Sequence, residues 1–219
     1  MKNLIRSFYA PADISFEIGK LFSQAIYDAQ SYRAHSFVKT IDTRYESMSE
    51  DERVKFKAFV ESEFGKKITA DFASAVSGTP SRIVNIALAL LYIGDHDFVM
   101  SQSELERFVS SAEGLIDVKV DFFIQLSNIP PLEIDSLFPT YVINSSNYNE
   151  LGLGVELDEL FLFVADFKSR GLILDETNQQ KVFGYGSPTK KDDWEIKYSL
   201  SNSLLKYAAL FNKAKQILR

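Results

Sequence analysis

Residues 155–174 read VELDELFLFVADFKSRGLIL, and the phase of this apolar run decides how the last third of the chain folds. Leu157, Leu160, Phe161, Val164 and Phe167 return at three- and four-residue steps, the spacing of one helix face, which predicts an amphipathic helix from Val155 to Arg170. On this phase the outer face carries Glu156, Asp158, Glu159 and Asp166, with Leu162 and Phe163 beside them and Arg170 as its basic group. Gly171 follows where a helix commonly ends on a residue of positive φ.

On either side the pattern continues in short units. Residues 147–151 suit a short leading helix and Gly152 to Gly154 its turn. Leu172-Ile173-Leu174 and residues 194–200 suit two strands of a hairpin, and Ser201 or Asn202 suits the cap of a final helix reaching Leu218. This order of short helix, second helix, Gly/Lys-bearing hairpin and closing helix, over residues 145–219, resembles a winged helix. The resemblance implies either DNA binding through the 155–170 helix and the wing, or protein association on the same scaffold, since a fold does not fix a function.

Charge separates those two implications. Over residues 145–179 seven carboxylates oppose Lys168 and Arg170, a net of minus five. A helix face with Glu156, Asp158, Glu159 and Asp166 would be repelled by phosphate, whereas exposed Leu162 and Phe163 suit packing against protein. Leu162, Phe163 and Asp166 are therefore the candidate interface residues, with the long first helix as a further surface. Residues 180–219 reverse the sign to a net of plus five. Lys181, Lys190, Lys191 and Lys197 are the candidate phosphate contacts of the alternative, a DNA-binding regulator acting as a dimer through a basic wing and last helix. Such contacts hold DNA without reading its sequence. Equally, Lys190-Lys191-Asp192-Asp193 suits a solvated hairpin tip, and the basic last helix complements its own dipole.

Upstream, residues 1–131 read as a helical domain, with 132–144 as a linker or short extended segment in which Tyr141-Val142-Ile143 could be a strand. Ile18, Leu21, Phe22, Ala25, Ala29 and Tyr32 make one stripe. Phe37, Val38 and Ile41 then fall out of phase, so the first helix either kinks near residues 31–35 or meets a different partner in its second half. Ser49-Glu50-Asp51-Glu52 and Ser101-Gln102-Ser103-Glu104 are capping boxes, in which the serine and the glutamate each satisfy a backbone N–H at a helix start. Helices are predicted from the first box to about Phe64, over 68–76 after Gly65, over 81–93 up to Gly94, from the second box to about Ala112, and over 115–126 before Ile129-Pro130-Pro131. The fold class is mainly α: an N-terminal helical bundle or array followed by a winged-helix-like α+β module with a small β-hairpin.

The whole chain sets wider bounds. Its 219 residues carry 18 Phe, 10 Tyr and a single Trp, an aromatic supply suited to a large core, and a net charge of minus 6 that opposes general attraction to nucleic acid or anionic lipid. With no cysteine there are no disulfides, thiolate nucleophiles or Cys-ligated metals, which suits the reducing cytoplasm. Residues 1–10 lack the apolar core of a signal peptide, and the apolar run 83–93 is about half the roughly 20 residues needed to span a bilayer, so no membrane association is expected.

Signals for chemistry are weak. Asp95-His96-Asp97 is the one ligand-like cluster, but His35 and His96 are the only histidines and three adjacent side chains do not easily surround an ion, so a loop capped by Gly94 is expected and no metal or cofactor. Gly184-Tyr185-Gly186 is too short for a phosphate loop, and Glu61 with Glu63, or Glu104 with Glu106, stand two apart and point in different directions. Nucleophile-elbow, Walker and zinc-protease motifs are absent from the sequence. The expectation is a non-enzymatic, soluble protein that associates with a protein partner or a second copy of itself.

Overall fold

The computed structural model describes residues 13–94, 97–175 and 194–218. In chain order they form α1 (Asp13–Ser47), α2 (Glu50–Glu61), α3 (Glu63–Gly78), α4 (Arg82–Tyr92), α5 (Gln102–Ala112), α6 (Asp117–Asn128), β1 (Thr140–Asn144), α7 (Tyr148–Leu151), α8 (Leu157–Ser169), β2 (Glu195–Ser199) and α9 (Asn202–Ile217). The protein is mainly helical with a small two-stranded antiparallel sheet.

Serine hydroxyls start most of these helices. Ser49 and Ser101 form the expected capping boxes, and Ser81 and Ser201 accept from the N–H of Val84 and Leu204. The first helix is one continuous element from Asp13 to Ser47. Phe37, in its second half, meets Tyr92 at 5.8 Å, and Tyr92 also touches Phe56, Phe59 and Phe72. One tyrosine on α4 thus gathers rings from α1, α2 and α3, and Thr69 meets its hydroxyl at 2.7 Å.

The break after α2 falls at Ser62 and not at Gly65, which lies in the first turn of α3. Ser62 Oγ accepts from the Gly65 N–H at 2.9 Å, and this cap seats Gly65 so close to the preceding helix that a Cβ there would stand 1.8 Å from the Phe59 carbonyl oxygen. Glycine is required by approach and not by φ. Gly65→Ala is expected to cost about 1–2 kcal/mol through backbone displacement, read as a lowered denaturant midpoint. An unchanged midpoint would mean that the two helices are not held this closely.

α4 is the centre of the array. Every residue from Ile83 to Leu91 is buried, Asn85 included, and the helix touches α1, α3, α5, α6 and α9. The buried residues run as one cluster from Ile68 to Ala214. α9 contributes Leu204, Tyr207, Ala208, Leu210, Phe211 and Ala214, and Phe211 meets Phe108 of α5 and Phe123 of α6.

Within the 132–144 stretch, Thr140–Asn144 is strand β1, and it pairs along its length with β2 from Thr140 opposite Ser199 to Asn144 opposite Glu195. Tyr141 and Tyr198 face each other in this register, stacked with centroids 5.2 Å apart, and the Tyr198 hydroxyl donates to the Leu126 carbonyl at 2.9 Å. Burial pushes both phenols above their ordinary range. Of the expected first wing strand, Leu174 exchanges both backbone hydrogen bonds with Ser199 as an isolated bridge.

Glu104 does more than complete the capping box of its own helix. Its carboxylate accepts from Ser101 in the capping box and from Ser203 of α9 at 2.8 Å, while its carbonyl accepts from the Tyr207 hydroxyl at 3.0 Å. The Ser101 backbone hydrogen bond, joined by the Ser203 and Ser101 hydroxyls, lowers its pKa from 4.5 to about 2. A carboxyl depressed on folding stabilises the protein fully above its unfolded value, and that contribution fades as pH falls toward the folded one. Glu104→Gln keeps an amide able to serve the capping box, so its deficit against wild type is expected to be largest above pH 4.5 and to shrink toward pH 2. A deficit independent of pH would show that the carboxylate charge plays no part.

Candidate functional site

α8 begins without a hydroxyl cap. Glu156 takes that position, and Glu159 Oε2 accepts the Glu156 N–H at 3.2 Å, so two carboxylates hold the first turn where the helix dipole favours negative charge. At the other end Arg170 caps the helix and Gly171 adopts φ +69°. Between these ends the buried stripe is Leu160, Val164 and Phe167, with Phe163 half-buried beside it. Phe122 on α6 meets Phe163 at 5.5 Å and Phe167 at 6.0 Å, and Phe123 meets Phe167 at 5.7 Å.

The expected inner stripe is therefore corrected at Leu157 and Phe161, which are 40% and 44% exposed. In a helix with apolar residues on nearly every side, the rings of α6 select which of them go inward. Phe161 lies instead against Trp194, at 5.4 Å and nearly edge-on, and Trp194 also meets Tyr148 of α7 at 5.8 Å. Tyr148 donates a short hydrogen bond to the Val155 carbonyl, tying α7 to the start of α8.

The three candidate interface residues part company. Leu162 is 66% exposed. Phe163 turns to α6, with the Lys119 ammonium 5.5 Å from its ring centroid. Asp166 accepts from Lys119 Nζ at 2.6 Å and from Arg170 Nε at 2.8 Å, all three side chains being about a quarter exposed. Burial pushes the Asp166 carboxyl up, but the hydrogen bonds and charges of Lys119 and Arg170 together outweigh it and hold its pKa below the ordinary value. Arg170 also donates to the Glu113 carbonyl, and Ser111 Oγ donates to the Arg170 carbonyl at 2.8 Å, so this end of α8 is bolted to α5 and α6.

Of the candidate phosphate contacts, Lys197 lies on β2 with Glu195 at 3.0 Å. Lys181, Lys190 and Lys191, with Tyr185 and its glycines, lie outside the described residues, as do Asp95 and His96. Asp97 pairs with Lys213 of α9 at 2.6 Å, and His35 is exposed on α1. Tyr27 and Tyr32 are the most open of the large hydrophobic side chains described on α1, followed by Val38.

The solvent face left on α8 consists of Leu157, Asp158, Phe161, Leu162 and Ala165, flanked by Glu156 and Glu159. Leu157, Phe161 and Ala165 form an uninterrupted i, i+4, i+8 ridge, about 12 Å long at 1.5 Å per residue, with Leu162 beside it and Trp194 against Phe161. Sequence reasoning found Leu162 but assigned Leu157 and Phe161 to the core. A signal for them existed in the unbroken apolar run 160–164, too wide for a single buried stripe.

One concavity lies elsewhere, a shallow groove of about 240 Å³ between α3 and α5 lined by Ile68, Asp71, Phe72, Leu105, Glu106 and Glu113 among others. Its carboxylates are without a facing histidine or cysteine, and among the described residues no group of three or more such side chains could hold a metal ion. Among those residues no helix is long and apolar enough to cross a membrane. No protein-family model, curated protein or solved structure matches the chain.

Proposed function

We propose that the chain is a non-enzymatic protein-interaction protein whose C-terminal part is a winged-helix-like module, with the solvent face of α8 as its contact surface. The order α7, α8, the Leu174 bridge, β2 and α9 supports the winged-helix reading, and β1 adds a strand to the same sheet. The single observation that carries the function is the makeup of the exposed α8 face: Leu157, Phe161, Leu162 and Ala165 beside Asp158 and Glu159. Contiguous apolar side chains rimmed by charge are a protein-contact surface. A DNA-reading helix would instead present donors to base edges and cations to phosphate, and the exposed cation of this helix, Lys168, pairs with Asp175 at 2.6 Å.

The test pairs two measurements. Titration with a mixed-sequence DNA duplex across a salt series is expected to give no binding even at low salt, and light scattering in the same buffers reports whether the chain associates with itself. Micromolar duplex binding that weakens steeply with salt and is lost on reversing Lys190 and Lys191 to glutamate would replace this reading with the DNA-binding one.

A further inference from the structure

We infer that the α8 face docks a basic amphipathic helix of another protein, an apolar stripe flanked by Lys or Arg, and not a second copy of this chain. The inference rests on the protein-interaction reading above and adds the chemistry of the partner. Geometry argues for a helix. The Leu157-Phe161-Ala165 row is an i±4 ridge, the surface that interdigitates with the grooves of a crossing helix, and small Ala165 lets a partner backbone approach.

Charge argues for a basic one. Glu156, Asp158 and Glu159 border the row at its N-terminal end, and none of them pairs with a cation among the described residues. The described cations beside α8 are committed elsewhere: Lys119 to Asp166 and Lys168 to Asp175. A two-fold contact between copies would set the same patch against itself, and the one exposed cation that α8 itself could offer those carboxylates, Lys168, is held by Asp175 at 2.6 Å in a chain already at minus 6. A cation-flanked helix meets the same surface with opposite charge, which favours both encounter and register.

Trp194 makes the proposal directly measurable, because it is the only tryptophan of the chain and packs against Phe161. The probes are three synthetic helices of about 18 residues without tryptophan, five turns at 3.6 residues per turn. Each repeats leucine at three- and four-residue steps, with lysine, glutamine or glutamate at the remaining positions. Titrations of the full chain are followed by Trp194 emission, with light scattering for mass. The Leu/Lys helix is expected to bind tightest, the Leu/Gln helix next and the Leu/Glu helix weakest, with the order compressed by salt.

Asp158→Asn with Glu159→Gln, which keeps a side chain able to complete the cap, is expected to reduce the Leu/Lys preference by about fivefold. Leu157→Ser with Leu162→Ser should weaken the Leu/Lys and Leu/Gln helices by about tenfold or more. Both positions are exposed, so a matching unfolding midpoint certifies that the variant is folded. Equal binding of the three probes, lost in the serine variant, would overturn the basic partner while leaving α8 a docking face. Binding by none of them, or binding indifferent to the serine variant, would overturn the docking face as well. Concentration-dependent dimers abolished by the serine variant would replace the partner by a second copy.

Discussion

Phe167→Ala is expected to lower the free energy of unfolding by about 3–5 kcal/mol, while Leu162→Ala, five residues earlier on the same helix, should change it by no more than about 0.5 kcal/mol. Phe167 has no exposed surface and touches the rings of Phe122 and Phe123 on α6, so truncation loses their contacts and opens a cavity that a core of rings from several helices closes poorly. Leu162 is two-thirds in solvent and loses little that folding gave it. Urea denaturation of the pair, with unchanged slope, reads the phase of α8. Similar losses at both positions would mean that the helix is rotated from the orientation described, and the exposed ridge would go with it.

Asp166→Ala is expected to cost about 2–3 kcal/mol, below the range for a fully buried pair because all three side chains keep about a quarter of their surface in water. The substitution leaves Lys119 and Arg170 close together without the carboxylate that joins them. It thereby loosens α8 from α6 and from the α5 end, which Arg170 reaches through the Glu113 carbonyl. A double-mutant cycle with Lys119→Met isolates the pair, and a coupling near zero would show that the ion pair is incidental. The sign of the pH effect follows from the lowered pKa: the stability is present at and above the ordinary carboxylate range and is lost as pH falls below it, so the Asp166→Ala deficit should shrink in acid.

The starts of α2, α5 and α9 were legible in the sequence because a cap is a local matter, whereas that of α3 at Ser62 was hidden by Gly65 in its first turn. Ser49 and Ser101 with their glutamates three residues on, and Ser201 before α9, carry their partners within one turn. The phase of α8 was not, because apolar residues at 157, 160–164 and 167 offer two stripes of comparable merit and the choice belongs to Phe122 and Phe123, some forty residues away. The same holds for residues 140–144, whose alternation is short and whose strand state depends on partners from Glu195 to Ser199.

Glu104 shows how a complete local explanation hides a distant one. A capping box accounts for that residue within its own helix, yet Ser203 and Tyr207 of α9 reach it as well. At the candidate site the exposure of Leu162 was legible from pattern, and the turning of Phe163 and Asp166 toward α6 required the neighbour's side chains.

The central claim is that the exposed side of α8 is where protein binds. Amide and indole chemical-shift mapping of the full chain with the Leu/Lys helix tests it most directly. The account predicts that the perturbed signals cluster on residues 156–165 and the Trp194 indole. Perturbations confined to the α3–α5 groove, or scattered over the acidic surface without reaching α8, would contradict it.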